Sequence, residues 1–183
     1  NTHLYSSVFI DEIRMSTVFS RTKSRNQIGF NAGASITDLF LPYLTLGMEY
    51  TRINPFVYQN LIPAQTYTSQ NYLMGDWIGQ NADRLTAWLK YNPLPRLSTK
   101  IRLDYIRKGE DGTLDDQYYA EPQPKFLSSK IEIQKQLLLE ASYEPINNLY
   151  IRGSYFKQGG IIRPNLQTSA VPNEFRFGVS YGF

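Results

Sequence analysis

A chain of 183 residues with a formal net charge of +3 holds one domain with a sizeable core, and its Lys and Arg are too scattered for a nucleic-acid footprint. Cysteine is absent, which excludes disulfides and thiolate metal sites. No run approaches the roughly 18 apolar residues a membrane helix needs, yet an alternating barrel strand averages to almost no hydropathy, so a membrane remains open.

Asn1-Thr2-His3-Leu4 runs straight into strand-like sequence without a signal peptide, as in a mature protein or a piece of one. Eight segments then alternate with the period of two of a β-strand. The first, roughly Leu4 to Arg14, is expected to place Tyr5, Ser7, Phe9, Asp11 and Ile13 on one face. The second, Gln27 to Thr37, sets Ile28, Phe30, Ala32, Ala34 and Ile36 against Gly, Asn, Ser and Thr. The third, Leu44 to Arg52, and the fourth, Arg84 to Asn92, separate Leu46, Met48, Leu85 and Leu89 from Glu49, Thr51, Arg84 and Lys90. The fifth contrasts Ile101, Leu103 and Tyr105 with Lys100, Arg102 and Asp104. In the sixth, Lys130 to Tyr143, Lys135 and Leu138 break the alternation. The seventh opposes Leu149, Ile151 and Tyr155 to Arg152 and Ser154. The last carries Phe175, Phe177, Val179, Tyr181 and Phe183 on one face, the pattern of a closing barrel strand.

Short turns (38–43, 93–96, 145–148) alternate with long links (15–25, 55–83, 109–129, 158–172). Up-and-down barrels have short periplasmic turns and long outer loops, and a periplasmic end for the last strand puts every connection in phase with that rule. The expected fold is therefore all-β: an antiparallel up-and-down transmembrane β-barrel of about eight strands spanning residues 1–183. The 14 Tyr and 10 Phe suit its interfacial girdles. Tyr5, Ile28, Leu46, Leu89, Leu103, Leu139, Ile151 and Val179 are expected on the apolar surface. The opposite face carries Glu49, Arg84, Lys90, Arg102, Asp104, Glu132, Glu140, Arg152 and Arg176. Opposed charges there line a barrel interior by pairing across strands, or mark a passage or polar cavity.

The link from Asn54 to Asp83 mixes flat rings (Tyr58, Tyr67, Tyr72, Trp77) with amides and carboxylates, among them Asp76, Asn81 and Asp83. Rings amid polar groups suit pyranoses, apolar on their faces and hydroxylated at their rims. These seven residues are the candidate polysaccharide site. The four rings are expected to pack on the barrel mouth and the three polar side chains to bond within the loop; the competing reading of the segment is a cap over that mouth and nothing more.

Over these residues the chain resembles the capsule-assembly (Wzi-type) outer-membrane barrels. Glu49-Tyr50-Thr51-Arg52-Ile53-Asn54-Pro55-Phe56-Val57-Tyr58 and Gly75-Asp76-Trp77-Ile78-Gly79-Gln80-Asn81-Ala82-Asp83 are similar to paired motifs flanking a long outer loop in that family, and the opening Leu4–Ile13 is similar to a family strand. The resemblance implies a bacterial outer-membrane location and the binding or anchoring of surface polysaccharide. Since family members are longer, it also implies a C-terminal portion of a wider barrel, whose first and last strands do not pair here. The alternative function is a barrel subunit of a larger secretion, motility or surface complex. The partners implied are the outer-membrane bilayer, polysaccharide and other outer-membrane proteins.

Catalytic chemistry is poorly supplied. His3, in a terminal segment, is the only His, so a Ser–His–Asp or His-based metal site is not supported. Asp111-Gly112-Thr113 with Asp115 and Asp116 lacks the full calcium-loop signature and reads as a solvated turn. No enzyme activity, cofactor or metal is expected.

Overall fold

The structure, a computed structural model, describes residues 1–13, 15–20, 26–70, 72–128, 131–160 and 173–182. Along the chain run β1 (Thr2–Glu12), β2 (Gln27–Thr37), β3 (Leu44–Ile53), β4 (Thr68–Ser69), β5 (Tyr72–Leu73), β6 (Ala82–Leu94) and β7 (Leu97–Lys108). The helix α1 (Leu114–Tyr119) follows, then β8 (Glu132–Tyr143), β9 (Leu149–Gly159) and β10 (Glu174–Tyr181). Eight of these strands form one antiparallel sheet in the order β1-β2-β3-β6-β7-β8-β9-β10, each beside its predecessor among the long strands. The pair β4–β5 is a small hairpin inside a connection. All eight predicted strands are present, and no ladder joins β1 to β10 among the described residues. The chain's Phe183 and most of its last long link lie outside the described residues.

Register sorts the side chains into two surfaces, because residues directly opposite in an antiparallel pair share a face. One row runs Leu46, Leu89, Ile101, Leu139, Tyr155, Phe175. Here Leu103, Phe175, Phe177 and Val179 are largely exposed, and no other layer of the chain covers this surface among the described residues. The opposing row runs Tyr5, Gly33, Glu49, Thr86, Asp104, Gln136, Gln158. As expected, Leu138 falls on the polar side, opposite Arg102, and Lys135 on the apolar side, opposite Tyr105.

One expected face is wrong. Tyr5 pairs with Gly33 and donates its hydroxyl to Glu49 Oε2 at 2.6 Å, so it belongs to the polar surface. Both alternations of β1 carry large apolar residues, and only the register with β2 separates them: Leu4, Val8 and Ile10 face the apolar side. Gly33 makes the contact possible, since a Cβ there would stand 2.4 Å from the Tyr5 ring. His3, near the start of β1, stacks on Tyr5 with ring centroids 5.4 Å apart.

The small apolar core lies at one end of the polar surface, not under the apolar one. Ile53, Ala82 and Ile106, at the ends of β3, β6 and β7, meet Val57, Tyr58 and Ile78 of the connection between β3 and β6, with Phe9 packed alongside. A long connection thus folds back over the sheet, and burial of each large side chain stabilises it by about 1.5–3 kcal/mol. Phe56 and Tyr58 take positive φ values of 63° and 81°. Such strain persists only where the surroundings over-determine it, and both side chains are buried.

Candidate functional site

The connection between β3 and β6 brings the predicted residues together unequally. Tyr58 is buried: its ring stacks on Tyr67 at 5.7 Å and tilts against Phe9 at 5.4 Å. Its hydroxyl accepts the Asp76 N–H at 3.2 Å, and its own N–H donates to Asp11 Oδ2 at 3.4 Å. Burial raises the Tyr58 phenol above its ordinary pKa, so it stays neutral. Tyr67 remains partly exposed while its backbone bonds to Tyr58 and Met74. Of the four rings expected to pack on the mouth, two stay largely exposed. Tyr72 is 78% exposed and Trp77 59% exposed. Tyr72 sits on the β4–β5 hairpin, whose four paired residues are all exposed.

Gly75 explains how the Asp76–Trp77 step approaches Tyr58 so closely: a Cβ there would lie 2.3 Å from the ring. Gly75→Val is therefore expected to expel Tyr58 from its stack, costing about 1–3 kcal/mol by overpacking. Limited proteolysis within residues 54–81 should accelerate, and an unchanged cleavage rate would show that the ring yields without loosening the loop.

Asp76 connects the loop to the sheet. Its Oδ1 accepts the Ile78 N–H at 3.1 Å and Arg84 Nη1 at 3.4 Å, while Oδ2 faces Arg84 Nη2 at 3.4 Å. Arg84 Nη2 also reaches Glu49 Oε1 and Thr51 Oγ1, each at 3.3 Å. The guanidinium carbon lies 5.4 Å from the Trp77 ring centroid, within cation–π range. One buried arginine, 8% exposed at its side chain, thus joins two carboxylates, a hydroxyl and the exposed ring. Beside it, Tyr5, Trp77, Trp88 and Arg102 help line a cavity of about 420 Å³. Further along the polar surface, Lys100 pairs across strands with Glu140 at 3.3 Å, whereas Arg102 pairs within its own strand with Asp104 at 2.9 Å.

Asn81 and Asp83 have other work. Asn81, 2% exposed, donates from Nδ2 to the Glu110 carbonyl at 2.6 Å and accepts the Leu127 N–H at 2.8 Å. It therefore rivets this loop to the connection between β7 and β8. Asp83 falls on the apolar-side register and is gripped by Arg107 at 2.9 Å and by the Tyr50 hydroxyl at 3.0 Å. Neither carboxamide nor carboxylate faces solvent. Sequence reasoning placed Glu49 and Arg84 on the polar surface but missed their link to Asp76, and it missed α1. A short signal for the helix was present: Thr113 and Asp116 form a capping box, and the Thr113 N–H lowers the Asp116 pKa. Asp116 is thus engaged by the helix start, and Asp111 pairs with Lys108.

The family model for the capsule assembly protein Wzi matches residues 5–155. The chain belongs to the Wzi capsule-assembly family. The match runs from β1 into β9, so it includes both loops just described and nearly the whole sheet. Wzi proteins are outer-membrane proteins of capsule assembly, not known as enzymes, and the chain is an outer-membrane protein accordingly. No curated protein and no solved structure matches it.

Proposed function

We propose that this Wzi-family chain forms part of a transmembrane β-barrel that holds surface polysaccharide at its outer mouth. Most long strands have 10–13 residues, at or above the roughly 9–11 that span a bilayer as tilted strands. Their exposed apolar side suits lipid and their charged side a lumen. The long connections lie at one end of the sheet and the short ones at the other, as in barrels with outer loops and periplasmic turns.

The observation that carries the binding reading is the exposed Trp77 ring held by Arg84 and followed into the cavity by Trp88 and Tyr5. A ring fixed at a rim by its neighbours binds a pyranose face without first losing side-chain freedom. Tyr72 supplies a second exposed ring; Tyr58, Tyr67, Asp76, Asn81 and Asp83 hold the platform in place. Trp77→Ala in the full-length protein is expected to reduce polysaccharide retention on cells sharply, each site weakening by about 1.5 kcal/mol or roughly tenfold. Barrel assembly, read by heat-modifiable gel mobility, should be unchanged. Full retention by that variant would leave the loop as a cap alone and return the function to a protein-complex subunit.

A further inference from the structure

Two cations break into the apolar side of the sheet. Lys135 lies directly opposite Tyr105, and Lys157 directly opposite Leu137, both in the register of the apolar surface. That register sets them diagonally across β8 and β9, a backbone spacing of about 7–8 Å. Both residues are exposed, and neither ammonium has a partner among the described residues. The nearby carboxylates are turned away or already engaged. Glu132 and Glu174 fall on the polar register, opposite Lys108 and Phe156. Asp83 shares the side of the lysines but is held by Arg107 Nε at 2.9 Å and by the Tyr50 hydroxyl at 3.0 Å.

Strand geometry sets the height of the pair. Both lysines sit toward the end of the sheet with the long connections, which the barrel reading places outside. Lys157 is eight residues along β9 from Leu149, and Lys135 is eight along β8 from Tyr143. At roughly 3.3 Å per residue each run covers about 26 Å. A barrel tilt of about 40° shortens it to about 20 Å of depth, within an apolar band about 25 Å tall. The two ammonium groups therefore reach the outer boundary of the hydrocarbon, with Tyr105 and Tyr155 on the same side as interfacial neighbours. A single lysine is tolerated there by extending its stem toward water. Extension does not account for two side by side, because like charges at this spacing repel, and more strongly beside hydrocarbon than in water. A diffusible anion would have to leave water to sit between them. A lipid phosphate is already anchored at that level, and its acyl chains would lie along Leu137 and Leu139 on the same surface.

We propose that Lys135 and Lys157 together bind the phosphate of an anionic lipid in the outer leaflet. The site rests on the transmembrane reading of the chain and uses none of the residues assigned to polysaccharide. The test is native mass spectrometry of the full-length protein released from detergent micelles, with diphosphorylated lipid A as probe and its dephosphorylated form as control. Only the phosphorylated lipid should stay bound as a one-to-one adduct. Replacing both residues, Lys135→Gln with Lys157→Gln, should weaken that binding about thirtyfold, the worth of two cations at a lipid surface. Lys90→Gln removes a cation from the polar side and should leave the adduct intact, and millimolar inorganic phosphate should not displace it. Equal retention of the dephosphorylated lipid, displacement by inorganic phosphate, or unchanged affinity in the folded double variant would each overturn the proposal. An equal loss in Lys90→Gln would overturn it too, since bulk charge would then suffice. The membrane reading is decided separately by the cost of Leu103→Arg in a bilayer, so a penalty there with no phosphate dependence here would sink this site alone.

Discussion

Replacing Arg84 by Leu is expected to destabilise the folded sheet by about 3 kcal/mol, the low end of the range for stranding a buried charge. The reason lies in what remains. Glu49 and Asp76, with side chains 19% and 22% exposed, would keep their charges in a partly buried place with their shared cation gone. Thr51, 2% exposed, would lose the same partner. Arg84→Lys should recover part of the loss, because an ammonium supplies the charge but not the fork that reaches two carboxylates and a hydroxyl together. Urea titration of the protein refolded into lipid vesicles, followed by tryptophan fluorescence, measures both variants. Equal midpoints for Arg84→Leu and the parent would mean that solvent already screens this network. The same substitution frees Asp76 and removes the cation beneath Trp77, so polysaccharide retention should fall with stability. That coupling sets it apart from Trp77→Ala, which should alter retention alone.

The second large effect tests the apolar surface. Leu103→Arg should cost about 2–4 kcal/mol of folding free energy in a bilayer, the measured scale for a cation on the lipid face near the midplane. Leu103 is mid-strand in β7 and 52% exposed, so in water an arginine there would meet little resistance. Its neighbour Arg102 already carries a guanidinium, tolerated because the pleat turns it to the polar side and Asp104 pairs with it. One residue along the strand thus separates a stabilised charge from an excluded one. Vesicle refolding titrations of Leu103→Arg against Leu103→Ala isolate the charge from the lost side-chain volume. A difference below about 0.5 kcal/mol would remove lipid from that face.

Much of the strand layout was legible because alternation is a local property. Gln27–Thr37 reads as a strand from its own residues and is observed with those bounds. The terminal aromatic face is equally plain, and Phe175, Phe177 and Val179 do share one side. The reading weakened wherever two alternations were equally apolar. In β1 the choice between Tyr5 with Phe9 and Leu4 with Val8 rests on pairing to a strand that begins some fifteen residues later, with Gly33 leaving the gap for the ring. α1 has six residues, too few for a helical period to rise above its surroundings.

The candidate site divides along the same line. Composition alone marked the loop from Asn54 to Asp83 as a place where rings and polar groups gather, and it singled out Trp77 and Asp76. Composition also grouped Asn81 and Asp83 with them, since an amide or carboxylate looks the same in a list whether it meets solvent or a partner. Their partners are Leu127, 46 positions away, and Arg107, 24 positions away. The sequence by itself determined where the strands run and, outside β1, which residues share their apolar side, because a period of two acts on neighbours. Only the tertiary structure decided the two faces of β1 and which polar groups bind the protein to itself, because both depend on side chains meeting across strands and long loops.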